Sequence, residues 1–178
     1  MSQSLAAKQH KKMRFTLGLS QYSLRALLKD GSLDPLDFPK FTVDQFGIQA
    51  IDLWEGGLPK DKLDDPKYLA MMRKKADQAG TDLFLLMSGA LDASEKKRAA
   101  SSQKISASFD RAVQLGAPMV RIFLKAPGND PQTGLQASVE ALKPLADEAA
   151  RKNLTIAIEP GASSLSQKGA FLAEVATK

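Results

Sequence analysis

Five apolar, strand-like runs recur along the chain at spacings of 33 to 38 residues, and this period constrains the fold more than any other feature. They begin near residues 14, 48, 81, 119 and 155. Each is followed by a loop and then by a segment with helical periodicity, and a strand, a crossover helix and two loops account for such a period. The expected strands are Arg14–Ser20, Ile48–Trp54, Thr81–Met87, Met119–Leu124 and Thr155–Glu159. Helices are expected over about Tyr22–Lys29, Asp37–Phe46, Pro66–Ala79, Ala93–Leu115, Gln132–Lys152 and from Gln167 onward. Gly47, Gly80 and Gly116 stand directly after three of them, where a chain leaves a helix through positive φ. The order is therefore βαβαβαβαβα with parallel strands.

Two architectures satisfy that order. One is a five-stranded open parallel sheet. The other is a (β/α)8 barrel represented only by about its first five strands, since eight such units come to roughly 290 residues against about 250 for a typical barrel. The barrel arc is favoured. The loop after the first strand reads S-Q-Y-S-L, without the glycines of a dinucleotide or phosphate loop. A complete open sheet should not stop just as a helix begins.

Charge and cysteine content narrow the function. The net charge is +5, but Lys8, Lys11, Lys12 and Arg14 supply four of those charges in the first fourteen residues. Residues 1–13 read as a disordered basic leader and residues 14–178 as a nearly neutral domain. No basic cluster belongs to one folded face, so no nucleic-acid partner is expected. No run approaches the length of a membrane span, and the leader lacks a signal peptide's apolar segment, so no membrane partner is expected either. The absence of cysteine excludes disulfides and thiolate chemistry and fits a cytoplasmic protein.

In parallel α/β folds, ligands bind at the carboxyl ends of strands. The polar residues there are Ser20 and Gln21, Asp52 with Glu55, Ser88, Arg121 with Lys125, and Glu159, with Trp54 beside them. Strand alternation puts Asp52 and Trp54 on one face and Glu55 on the other. A buried Asp52 needs a partner, either a strand-end cap or ion pair, or a ligand. Arg121, flanked by apolar residues, either pairs inside the sheet or faces an anion. Lys125 reads as a surface lysine that a phosphate could reach. Phe84, Phe109 and Phe123 read as core. In L-T-I-A-I-E-P-G, Thr155, Ala157 and Glu159 share a small, polar face, and Ile156 and Ile158 an apolar one. Glu159 is then either the last wet residue of its strand or a carboxylate at a barrel mouth, able to bind a divalent ion or move a proton.

Three segments resemble the sugar phosphate isomerase/epimerase family, the xylose-isomerase-like TIM barrels. They are F-G-I-Q-A-I-D-L-W (46–54), F-D-R-A-V-Q-L-G-A-P-M-V-R-I-F (109–123) and L-T-I-A-I-E-P-G (154–161). The resemblance implies metal-assisted proton transfer next to a carbonyl of a small sugar or polyol. It makes Glu159 both a ligand of a divalent ion such as Mn²⁺ or Mg²⁺ and a proton carrier. It gives Arg121 a supporting role, and Trp54 and Asp52 places on the substrate side. Pro160 stands where the family often has Asn, and Lys178 follows Glu159 by nineteen residues, before a sixth strand could supply further ligands. The expectation is thus an N-terminal part of such a barrel, inactive by itself and without a tightly bound metal, with exposed strand edges through which it could form a homo-oligomer. Two other readings stand beside it: a non-catalytic remnant or small-molecule binding module, and a metal-dependent endonuclease-like hydrolase of the same superfamily. The hydrolase would need several histidines, whereas His10 is the only one in the chain.

Overall fold

The computed structural model describes residues 15–178, so the expected leader and Arg14 lie outside the described residues. Strand β1 covers Gly18–Ser20, followed by a 3-10 segment (Gln21–Leu24) and the short helix α1 (Arg25–Lys29). Then come α2 (Phe38–Phe46), β2 (Ala50–Trp54), α3 (Pro66–Ala79), β3 (Asp82–Asp92) and α4 (Glu95–Leu115). The chain continues through β4 (Met119–Lys125), α5 (Pro131–Arg151), β5 (Thr155–Glu159) and α6 (Gly169–Ala176).

All strand pairs are parallel, and the spatial order is β1-β2-β3-β4-β5. A doubly wound sheet reverses its winding and puts an early strand in the middle. Here the winding never reverses, and β1 and β5 are the two edges. The helices follow the same sweep: α2 packs on α3, α3 on α4, α4 on α5 and α5 on α6. One layer of helices on one side of a singly wound sheet is an arc of a (β/α)8 barrel.

The core lies between sheet and helices. Ile51 and Leu53 of β2 and Val120, Ile122 and Leu124 of β4 are fully buried on the helix side, against Leu69, Met72, Ile105 and Phe109. Ile156 and Ile158 of β5 pack partly against the same core. The alternate residues, Asp52, Trp54, Arg121, Phe123 and Glu159, occupy the inner face.

Strand β3 is longer than its apolar run suggests. Ile51 pairs with Leu83 but Asp52 with Leu85, and Met87 pairs with Arg121 but Ala90 with Phe123. Each step places one extra residue in β3. Such bulges bend a strand and increase its twist, which curves the middle of the arc around the inner face.

Candidate functional site

The site begins at the carboxyl end of β1. Gln21 is fully buried, and its main chain and side chain tie β1 to β2. Its N–H donates to Asp52 Oδ1 at 3.2 Å, and its Oε1 accepts from Trp54 N–H at 2.9 Å. Ser20 Oγ donates to the same Asp52 oxygen at 3.0 Å. Asp52 is therefore a strand-end cap. It is buried, and it is not among the residues that line the inner-face cavity described below. Burial pushes its carboxyl above the usual value, while the bonds from Ser20 and Gln21 and the Arg121 charge pull the other way.

Arg121 is held on several sides. Its Nη1 donates to Ser88 O at 3.1 Å, and its guanidinium carbon lies 4.4 Å from the centre of the Phe123 ring. Its Nε is 3.0 Å from Glu159 Oε2 but lacks the alignment of a hydrogen bond, so the contact is an ion pair. Burial lowers the guanidinium's proton affinity, and the Glu159 and Asp52 charges oppose that shift. Of the two readings left open for Arg121, internal pairing is what the fold displays, yet the pair itself borders a cavity.

That cavity is about 480 Å³ and is lined by Tyr22, Trp54, Met87, Arg121, Phe123 and Glu159, with the Ser88–Ala90 segment as one wall. Tyr22 meets Trp54 edge to face, with ring centres 4.9 Å apart. The Arg121 side chain is 10% exposed and that of Glu159 46%, so the carboxylate opens into the space and the guanidinium backs it.

The other expected residues turn their side chains elsewhere. Ser88 turns its hydroxyl away, sharing a hydrogen bond of 2.7 Å with Ser108 of α4. Glu55, on the opposite side from Asp52 and Trp54 as alternation predicts, pairs with Arg111 at 2.7 Å, and Arg111 also reaches Asp64 at 2.8 Å. Lys125 sits 3.6 Å from Asp92. Phe109 is core, but Phe123 is a cavity wall and Phe84 is half-buried against Gly18. The inward place of Phe123 was readable, since it is two residues from Arg121 on the same strand. Tyr22 and Met87 carried no such signal: Tyr22 rides on a 3-10 segment and Met87 lies beside a bulge.

A profile of the xylose isomerase-like TIM barrel matches residues 42–177. The chain belongs to the xylose-isomerase-like TIM-barrel family. Solved structures agree with that fold. The probable 3-DHS dehydratase AsbF of Bacillus anthracis superposes with a TM-score of 0.73 at 16% identity, over 92% of this chain and 58% of its own. A putative xylose isomerase from Rhodospirillum rubrum gives 0.66 at 14% identity, over 80% and 55%. D-psicose 3-epimerase from Clostridium cellulolyticum H10, solved with D-tagatose, gives 0.61 at 14% identity, over 80% and 55%. The chain thus spans less than two-thirds of the length of each. No curated protein matches its sequence.

Strand β5 of this family member brings one carboxylate, Glu159, to the cavity. Among the described residues no group of three or more His, Cys, Asp or Glu is placed to hold a metal ion. Hard divalent cations take about six oxygen ligands. One carboxylate already facing a guanidinium does not meet that need, so the residues present do not by themselves fit a divalent ion. Nor, among the described residues, is any helix long and apolar enough to cross a membrane.

Proposed function

We propose that this chain forms one side of an isomerase- or epimerase-type site, in which Glu159 moves a proton next to the carbonyl of a small sugar or polyol. The observation that carries the reading is the Glu159 carboxylate opening into an aromatic-walled cavity while Arg121 holds its other side. Oε2 faces the guanidinium, which leaves Oε1 as the acceptor for a substrate proton. A carboxylate performs that transfer from about 2.6–3.2 Å. Trp54, Tyr22 and Phe123 offer apolar faces to the C–H side of a sugar ring, and such walls with few convergent polar groups are what small-ligand sites require. Arg121 Nη2 has no acceptor among the described residues and is free to meet a substrate oxygen. Residues 14–178 are read as the incomplete barrel domain, with 1–13 as a separate leader.

Relatives of the same fold support the substrate class: a D-psicose 3-epimerase solved with D-fructose, and the 3-keto-D-glucoside 4-epimerase YcjR of E. coli. They do so at 19% and 12% identity, and one fold hosts many chemistries.

The test is proton exchange. The protein is incubated with ketopentoses and ketohexoses in D₂O, with and without added Mn²⁺, and deuterium entry beside the carbonyl is read by NMR. Exchange by the wild type, abolished in Glu159→Gln, is the expected result. No exchange with any of these sugars, with or without the ion, overturns the catalytic reading. That no three metal donors converge among the described residues favours a second reading, a non-catalytic sugar-binding module. Saturable quenching of Trp54 fluorescence by a sugar without exchange would support it.

A further inference from the structure

A larger hollow, about 710 Å³, lies on the other side of Trp54 from the Glu159 cavity, between α1 and the segment after β2. Its walls are mostly apolar: Ala26 and Leu28 of α1, Pro35, the Trp54 indole, and Leu58 with Pro59. Gly56 and Gly57 lie flat against the indole, and any Cβ at Gly56 would collide with the ring. The fully buried amide of Gln21 packs beneath Gly57, so the wall carrying Trp54 is fixed from behind. The hollow's only charged lining residues are Arg25 and Lys29, both exposed and both cationic. Arg25 is held in place at the rim. Its guanidinium lies 4.7 Å from the centre of the Tyr22 ring, and Nη1 donates to Tyr22 O at 3.3 Å. Lys29 has no acidic partner among the described residues.

An apolar hollow of this size with two same-sign charges at its mouth selects a ligand with an apolar body and an opposite charge. We infer that this hollow binds a small organic anion, an aryl or alicyclic carboxylate, with its ring against Trp54 and Leu58 and its carboxylate between Arg25 and Lys29. The site is separate from the Glu159 cavity and stands whether or not the sugar reading holds. The two share only the Trp54 side chain, so an occupant of one is felt at the wall of the other.

Trp54 is the only tryptophan in the chain and lines both cavities, so its fluorescence reports binding, and the variants and NMR shifts assign that binding to the hollow. Benzoate and its neutral isostere benzamide are the probes. Benzoate should change the emission saturably and bind about fivefold more tightly than benzamide, because two exposed charge contacts are worth roughly 1 kcal/mol together. The double variant Arg25→Gln/Lys29→Gln should lose that preference, and Arg121→Gln should keep it. Heteronuclear NMR gives a second measurement if the buried Arg121 change impairs folding: benzoate should shift the methyl signals of Leu28 and Leu58 and leave Met87 in place. Equal binding of benzamide, full affinity in the double variant, loss of binding in a folded Arg121→Gln, shifts confined to Met87, or no binding up to the solubility of benzoate would each overturn the assignment.

Discussion

At the scale of single residues, the inner face carries two carboxylates in different surroundings. Glu159 is half-exposed against a guanidinium; Asp52 is buried and capped. Burial holds the Asp52 carboxyl above its ordinary value. A carboxyl with a raised native value binds its proton more tightly folded than unfolded. Its ionisation therefore weakens the fold above the native value, and that penalty vanishes as pH falls below the unfolded one. Asp52→Asn keeps an oxygen that can accept from Ser20 Oγ and Gln21 N–H but removes the charge. It should raise the urea midpoint at neutral pH, and the gain should shrink toward zero near pH ~4, the ordinary aspartate range. A loss of stability at neutral pH would mean that attraction to Arg121 outweighs desolvation. The residue-level roles were only partly readable. Alternation put Asp52 with Trp54, and Glu159 with Thr155 and Ala157, but it left Arg121 open and could not show that Asp52 is capped rather than part of the cavity lining. The cap comes from the last residue of β1 and the first of the 3-10 segment, since Ser20 Oγ and Gln21 N–H both donate to Asp52 Oδ1.

At the scale of elements, the helix starts repeat one device. Asp65-Pro66 opens α3 and Asp130-Pro131 opens α5, with the aspartate side chains accepting from Lys67 N–H and Thr133 N–H at 3.0 and 2.7 Å. Asp34-Pro35 does the same for a 3-10 segment, accepting from Leu36 N–H at 2.8 Å. Proline at the first helical position has no N–H to leave unpaired, and the preceding carboxylate satisfies the next free donors. Asp65→Ala should therefore cost about 1 kcal/mol of stability in urea denaturation; an unchanged midpoint would show that Pro66 and packing alone start α3. Asp130 is exposed, and its bond from Thr133 lowers its carboxyl below the ordinary value. This stabilising effect is present above the unfolded value and is lost as pH falls through the folded one. Glycine exits and apolar periodicity made α3 and β5 legible at both ends, because each is a short regular unit bounded by strong stop signals. The apolar run places the end of β3 at Met87, five residues early, because Ser88-Gly89, the site of its second bulge, interrupts that run. The second bulge lies where Arg121 takes Ser88 O, so the irregularity hidden from the sequence also builds the site.

At the scale of the whole molecule, the winding order leaves two strand edges and one sheet face uncovered by the described residues. Strands β1 and β5 each pair on one side only. Phe15 and Leu17, just before β1, are 65% and 59% exposed, and the inner face carries half-buried Trp54, Met87 and Phe123. Natural edge strands are normally blunted by charge, proline or cover, because unpaired N–H and C=O groups beside apolar side chains template another strand. The described residues carry a net charge of only +1, so little net repulsion among them opposes association. The chain should therefore self-associate through the β1 edge, and sedimentation velocity from low to high micromolar protein should show a rising weight-average mass. Leu17→Lys places a charge beside that edge at an exposed position and should return the protein toward a monomer without lowering its thermal midpoint. A monomer across the whole range would show that the leader or the local twist already guards the edge. If association persists in Leu17→Lys, the contact lies on β5 or on the inner face. Trp54 distinguishes those two, because a copy seated on the inner face would blue-shift its emission as concentration rises, whereas pairing at β5 would leave it unchanged.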